Sequence, residues 1–290
     1  MVVSLIPLAR RTVGSLVRTT RRSLWFGLMI CAGSVAAGTT ARADFDAGWK
    51  AYQRGDFAVA MAEWRPLAEQ GHARAQYNMG VIYDEGRGVE SSRAKAIAWW
   101  AKAADQGLAR AQHNLALMHI DTIDERPNIE RAIELLEQAS ASGFARSLYT
   151  LGKIYIDGVG VPTDEDKAFA LISAAGKAGF DKAQYNLGKM YRDGRGVAAD
   201  QSQAARWFRL AAEQGYAKAQ NKLAVIYYKG RGVEEDGVQA LTWAILAARQ
   251  GHREAKENRA LLMQRSSAEE IAEAERQADM FRPTEAMAAQ

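Results

Sequence analysis

The 290-residue chain carries 38 Lys and Arg against 34 Asp and Glu, a formal net charge of +4, and a single cysteine, Cys31. One cysteine excludes an internal disulfide framework. Six of the arginines fall within the first 43 residues, which hold no acid; the remainder has 32 basic against 34 acidic residues, about −2, and a nucleic-acid partner loses its main compositional support.

At the start of the chain, basic residues up to Arg22 precede an apolar stretch from Leu24 to Ala37, and Ala41-Arg42-Ala43 offers an Ala-x-Ala cleavage site. This pattern predicts a secretory signal peptide over residues 1–43, cut after Ala43. The apolar stretch is too short for a membrane span. The expectation is therefore a periplasmic or secreted protein with no stable membrane insertion after cleavage. Thr20-Arg21-Arg22-Ser23-Leu24 loosely matches a twin-arginine signal, and an ordinary basic region explains it equally well. Cys31 follows Ile30, a poor neighbour for lipoprotein cleavage, and leaves with the leader.

From residue 44 a repeat sets in. Gly71, Gly107, Gly143, Gly179, Gly215 and Gly251 stand 36 residues apart, and a period of this size without slippage signals stacked supersecondary units. Small columns (Gly80, Ala116, Gly152, Gly188, Ala224) alternate with large ones (Trp99, Leu135, Leu171, Trp207, Trp243), as close helix packing requires. Ala75, Met79, Ile82 and Tyr83 fall on one face of a helix, and Ala96, Trp99, Trp100, Ala103 and Ala104 on one face of the next. Each unit reads as helix A, a turn, then helix B. The recurring glycine suits the left-handed position just past helix B, and the apolar residue after it (Leu108, Phe144, Phe180, Tyr216) is expected to pack back on the helix it follows. Asp200 with Gln203, and Asp236 with Gln239, resemble N-cap pairs opening helix B.

Ala-Gln-Tyr-Asn-Leu-Gly at 183–188, Gly-Arg-Gly-Val at 194–197 and Ala-Ala-Glu-Gln-Gly at 211–215 resemble Sel1-like repeats, the longer-looped relatives of the tetratricopeptide repeat. The resemblance covers about residues 45–262. It implies an all-α, right-handed α-solenoid of about six helix-turn-helix repeats, with the A helices lining a concave face, and it implies no particular reaction. The opening unit departs from the pattern, because Gly48 lies only 32 residues before Gly80. Unit three also departs: Thr122-Ile123-Asp124-Glu125 stands where the other units have Gly-x-Gly-Val. Beyond the solenoid of residues 44–262, the segment 263–290 loses the period. Ser267 with Glu270 resembles a capping box opening a helix to about Arg282 that covers the last repeat, with a tail after it.

Candidate chemistry is sparse. Ser92-Arg93-Ala94-Lys95 matches the Ser-x-x-Lys of penicillin-recognising enzymes, but no Ser-Asp-Asn or Lys-Thr-Gly accompanies it, and Ser92 is a natural helix cap. His72 and His252 replace Leu, Phe or Tyr in a packing column; His113 and His119 replace tyrosines. No histidine pair has metal spacing, so neither metal nor cofactor is expected. The Gly-x-Gly loops follow helices rather than strands and terminate them.

The stronger candidate is a stripe along the A helices. It runs Arg74, Asn78, Val81, Glu85; then Arg110, Asn114, Leu117, Asp121; then Arg146, Thr150, Lys153, Asp157. It continues as Lys182, Asn186, Lys189, Asp193 and as Lys218, Lys222, Val225, Lys229. Tyr77, His113, Tyr149 and Tyr185 form the neighbouring column. Arg and aromatic side chains in register suit protein or glycan contact; a solvated helix face is the alternative. The expected function is a non-catalytic protein-interaction scaffold or adaptor in the cell envelope, in signalling, exopolysaccharide control or complex assembly. The rivals are a hydrolase acting on peptidoglycan or β-lactams through Ser92, and a glycan-binding subunit using the tyrosines.

Overall fold

The computed structural model describes residues 43–121 and 127–284. The expected leader, the altered loop at 122–126 and the end of the tail lie outside the described residues. Fourteen helices and no strand occur among those described. They form antiparallel pairs: α1 (Phe45–Arg54) with α2 (Phe57–Glu69), α3 (Ala73–Glu85) with α4 (Arg93–Asp105), α5 (Ala109–Ile120) with α6 (Ile129–Ala141), and α7 (Ala145–Asp157) with α8 (Glu165–Lys177). Then come α9 (Asp181–Asp193) with α10 (Gln201–Glu213) and α11 (Ala217–Lys229) with α12 (Gly237–Arg249). A seventh A-type helix, α13 (Arg253–Met263), and the capping helix α14 (Ala268–Met280) close the stack. Each helix from α1 to α13 packs on its chain neighbours within that run, and α14 returns to cover α12, giving an α-solenoid.

The pairing inside each hairpin is a size exchange between two columns. A Cβ added at Gly188 would lie 2.8 Å from the Phe208 ring, and one at Gly152 would lie 2.6 Å from Ile172. Gly48 and Gly80 make the same room for Trp64 and Trp100. Where helix A carries Ala116 or Ala224, the facing residue shrinks to Leu136 or Ala244. The residues beside the glycines are thus one position later than the large column expected from the sequence. Trp64 and Trp100 gain a hydrogen bond from this approach, donating Nε1–H to the Phe45 and Tyr77 carbonyls at 3.0 and 3.1 Å.

The two glycines of Gly-x-Gly-Val do different work. The first, at Gly86, Gly158, Gly194 and Gly230, is the left-handed C-cap of helix A. The second meets the first turn of the preceding B helix: a Cβ at Gly160 would lie 2.7 Å from Ile129, and one at Gly232 would lie 2.6 Å from the Ser202 backbone. At α5, which ends at Asp121 without such a glycine, the Arg93 guanidinium fills the role. It donates to the Met118 carbonyl at 2.6 Å and to that of Asp121, satisfying carbonyls the helix end leaves open.

The expected caps are present. Asp200 and Asp236 each accept from the backbone N–H three residues on, at 2.9 Å. Ser267 and Glu270 form a full capping box. On α14, Ala274 and Ala278 are buried, and Phe281 meets the Trp243 ring edge-on at 5.6 Å. This shields α12, buried from Ala240 to Ala248. No helix among the described residues is long and apolar enough to cross a membrane.

Candidate functional site on the A-helix face

Five A helices place a cation at their second residue: Arg74, Arg110, Arg146, Lys182 and Lys218, all exposed. The column ends at Glu254 in α13. The opposite ends of four A helices carry acids: Glu85, Asp157 and Asp193 as last residues and Asp121 as C-cap. Both columns oppose the helix macrodipole, which favours acids at the N-terminus and bases at the C-terminus by ~0.3–1 kcal/mol each. Helix stability therefore does not account for this charge pattern.

A third column runs Val81, Leu117, Lys153 and Lys189 between the two charged edges and continues beyond them as Trp49 on one side and Val225 and Leu261 on the other. Trp49 (44 % exposed), Leu117 (37 %) and Leu261 (43 %) are three of the five large apolar side chains exposed among the described residues. Val225 and Leu261 line a shallow apolar hollow with Tyr228 and Asn258. Exposed apolar groups in one line mark an interaction surface more than scattered ones do.

The tyrosine and asparagine columns sit differently from expectation. Asn186 Nδ2 donates to Tyr149 Oη at 3.1 Å, Asn258 Nδ2 to Asn221 Oδ1 at 2.8 Å, and Tyr77 bonds Asn114 in the same register. These bonds stitch α3 to α5, α7 to α9 and α11 to α13. The rings are engaged as well: Tyr149 meets Phe180 edge-on, and Tyr185 meets Phe208 and Tyr216. The residue after the recurring glycine thus reaches the ring of the preceding A helix, not only the helix it follows.

His113, taken from the sequence as a docking residue, is only 8 % exposed and is withdrawn from the surface. Its Nδ1 lies 3.0 Å from Ser147 Oγ, and its ring meets Phe144 edge-on. Burial, with Arg146 nearby, lowers its pKa to about 4. His72 and His252 also cap helices: their Nδ1 atoms accept from the backbone N–H of Ala75 and Ala255 at the starts of α3 and α13, while the His72 ring stacks on Phe45 at 5.1 Å. Ser92 Oγ accepts from the Lys95 backbone and caps α4, while the Lys95 ammonium lies over the Tyr83 ring. Serine and lysine side chains thus point to separate tasks.

A glutamine ladder went unread in the sequence. Gln76, Gln112, Gln184 and Gln220 each donate to a carbonyl near the end of the preceding B helix: Ala68, Ala104, Gly176 and Ala212, at 2.9–3.3 Å. Gln76, Gln184 and Gln220 also accept from Gln106, Gln214 and Gln250 thirty residues on, at 2.7–2.8 Å. Their common period was the available signal. No group of three metal-ligating side chains occurs among the described residues.

The family model described as Sel1 repeat matches residues 73–108, 109–144, 145–180, 181–216 and 217–252. No curated protein matches the chain. Among solved structures, a protective antigen of uropathogenic Escherichia coli with an SLR fold is 32 % identical over 83 % of this chain and 53 % of its own, with TM-score 0.73. This chain therefore spans about half of that protein's length. A Sel1 repeat protein from Oxalobacter formigenes is 29 % identical over 71 % of this chain and 85 % of its own, with TM-score 0.63. The matched stretches cover α3 to α12 and leave the opening hairpin and α13–α14 as flanking elements. Five consecutive repeats on such a solenoid place the chain in the Sel1 repeat family.

Proposed function

We propose that the protein is a non-catalytic interaction scaffold of the cell envelope that docks a protein partner on its A-helix face. Sel1 repeats generally mediate protein–protein interaction. The observation that carries the reading to this face is Leu117, exposed and apolar between two charged columns set against their helix dipoles, in a line that the exposed Trp49 and Leu261 continue beyond those columns at either end. Arg74, Arg146, Lys182 and Lys218 form the basic edge, with Arg110 among them. Tyr77, Tyr149, Tyr185, Asn78, Asn114, Asn186 and Lys222 support that surface from the A helices.

Export after removal of residues 1–43 belongs to the same reading. It is supported by Asp44, the residue after the expected cut: it is the N-cap of α1, and its backbone nitrogen lies 2.9 Å from Glu63 Oε2. After cleavage that nitrogen is an ammonium, and the hydrogen bond becomes an ion pair.

A photo-crosslinking amino acid placed at Leu117 or Val225 tests the docking face in intact cells, with Glu137 on helix B as control. The expected result is one shared adduct from the two A-helix positions and none from Glu137. Adducts from Glu137 alone, or from none of the three, overturn the reading.

A further inference from the structure

We infer that the joint between α6 and α7 is a hinge between two arms of the solenoid, α1–α6 and α7–α14, and that protonation of His113 releases it. From α2–α3 to α10–α11 there are five joints at which a B helix meets the next A helix. Four are tied by a glutamine bonded to the end of the B helix: Gln76, Gln112, Gln184 and Gln220. At the fifth, Leu148 stands in the glutamine column and has no donor to offer. Ser140, at the α6 position whose carbonyl the glutamines take elsewhere, buries its Oγ with no hydrogen-bond partner among the described residues. Thr150 replaces the asparagine with which α5 and α9 reach back to a tyrosine. α6 and α7 also pack less extensively than the helices of the other four joints.

Much of what crosses this joint has no direction. Leu136 of α6 shares one apolar cluster with Leu115 of α5 and with Leu151 and Ile154 of α7. Apolar burial depends on area removed from water, so a small rotation of one arm keeps it, whereas hydrogen bonds fix distance and angle. A directional tie that does span the joint is His113 on Ser147, which joins α5 to α7 at 3.0 Å, with the ring set edge-on against Phe144 in the α6–α7 turn.

That tie is sensitive to charge. The imidazole is buried, and a buried charge is costly without a partner of opposite sign. The charge that acts on it is the Arg146 guanidinium of α7, which repels a proton. On α5 itself Arg110 precedes it by three residues, and from α3 the Tyr77 phenol is held by Asn114. α4 and α6 face α5 with Ala103, Ala104, Leu135 and Leu136. Swinging the arms apart lets the ring reach water, where its pKa returns to ~6.5. The closed joint is therefore fully favoured above pH ~6.5 and loses ground as pH falls towards about 4. Going from pH ~7.5 to ~4.5 multiplies the open-to-closed ratio about 70-fold. Opening changes the curvature of the A-helix face between Leu117 and Lys153, whatever that face binds.

The test is pulsed electron paramagnetic resonance on the full chain carrying Cys31→Ser, with nitroxide labels on cysteines placed at exposed helix positions. Ala98→Cys with Arg206→Cys spans the joint; Arg65→Cys with Ala98→Cys lies within one arm and Arg206→Cys with Glu275→Cys within the other. Between pH ~7.5 and ~4.5 a second distance population is expected across the joint, with both within-arm distances and helical circular dichroism unchanged. His113→Gln keeps a polar group beside Ser147 and does not titrate; Leu148→Gln with Ala178→Gln installs the missing glutamine pair. Each should remove the second population. A single distance across the joint at both pH values, a change within either arm, or a second population that persists in either folded variant overturns the inference.

Discussion

Two stretches of the solenoid follow the same plan with different fidelity. In α9–α12 the pairings between units recur, with Gln184 on Gln214, Gln220 on Gln250, two glycines per loop and Tyr185 against Tyr216, although Asn221 and Lys222 depart from the tyrosine and asparagine columns. In α5–α8 the columns break, and they break in pairs. His113 replaces a tyrosine where Ser147 replaces an alanine, and the two side chains meet. Leu148 and Ala178 stand where three other units pair two glutamines. α5 ends without a C-cap glycine, and Arg93 from the preceding repeat takes its carbonyls. Departures in one repeat are thus matched in its neighbour, as expected when stability resides in nearest-neighbour interfaces.

The sharpest way to break the regular half is Gly232→Ala. Its Cβ would lie 2.6 Å from the Ser202 backbone, at φ +73°. Overpacking and a left-handed alanine together should cost about 3 kcal/mol in urea unfolding; a near-neutral result would mean that the loops do not set repeat spacing.

The irregular half should be acid-sensitive. The His113 pKa is about 4 in the fold and near ~6.5 in the unfolded chain. Between these values the unfolded chain binds more protons, so stability is full above pH 6.5 and falls as pH drops through the window. The loss approaches about 3 kcal/mol. His113→Tyr with Ser147→Ala restores the regular pair and should flatten this part of the pH profile; an unchanged slope would place the sensitivity elsewhere.

Smaller effects sharpen the comparison. Gly179→Val, at φ +87°, should cost more than about 1 kcal/mol, because a β-branched residue fits poorly there. Gln184→Leu strands the Gly176 carbonyl and the Gln214 amide, costing about 1 kcal/mol. Adding Gln214→Ala copies the Leu148–Ala178 arrangement and should recover most of the loss.

The period, the hairpins, the caps at Ser92, Asp200, Asp236 and Ser267, and the glycine turns were legible because each depends on residues close in sequence. What was missed depends on register between neighbours. The period of 36 residues marks Gly188 but does not say that Phe208, rather than Trp207, fills its space. It marks a tyrosine column but not that Asn186 ties down Tyr149 from the next repeat. The basic stripe was visible; its opposition to the helix dipoles and the exposed line between the charged edges required the helix ends and the burial of each side chain.

The most direct test joins stability to docking in one protein, with Arg74, Arg146 and Lys182 all changed to Glu and the photo-crosslinker at Leu117. Acids at those positions agree with the helix dipoles, each by ~0.3–1 kcal/mol. The melting temperature should therefore hold or rise while the Leu117 adduct disappears. A lower melting temperature with the adduct retained would show that the basic edge serves the fold and not a partner.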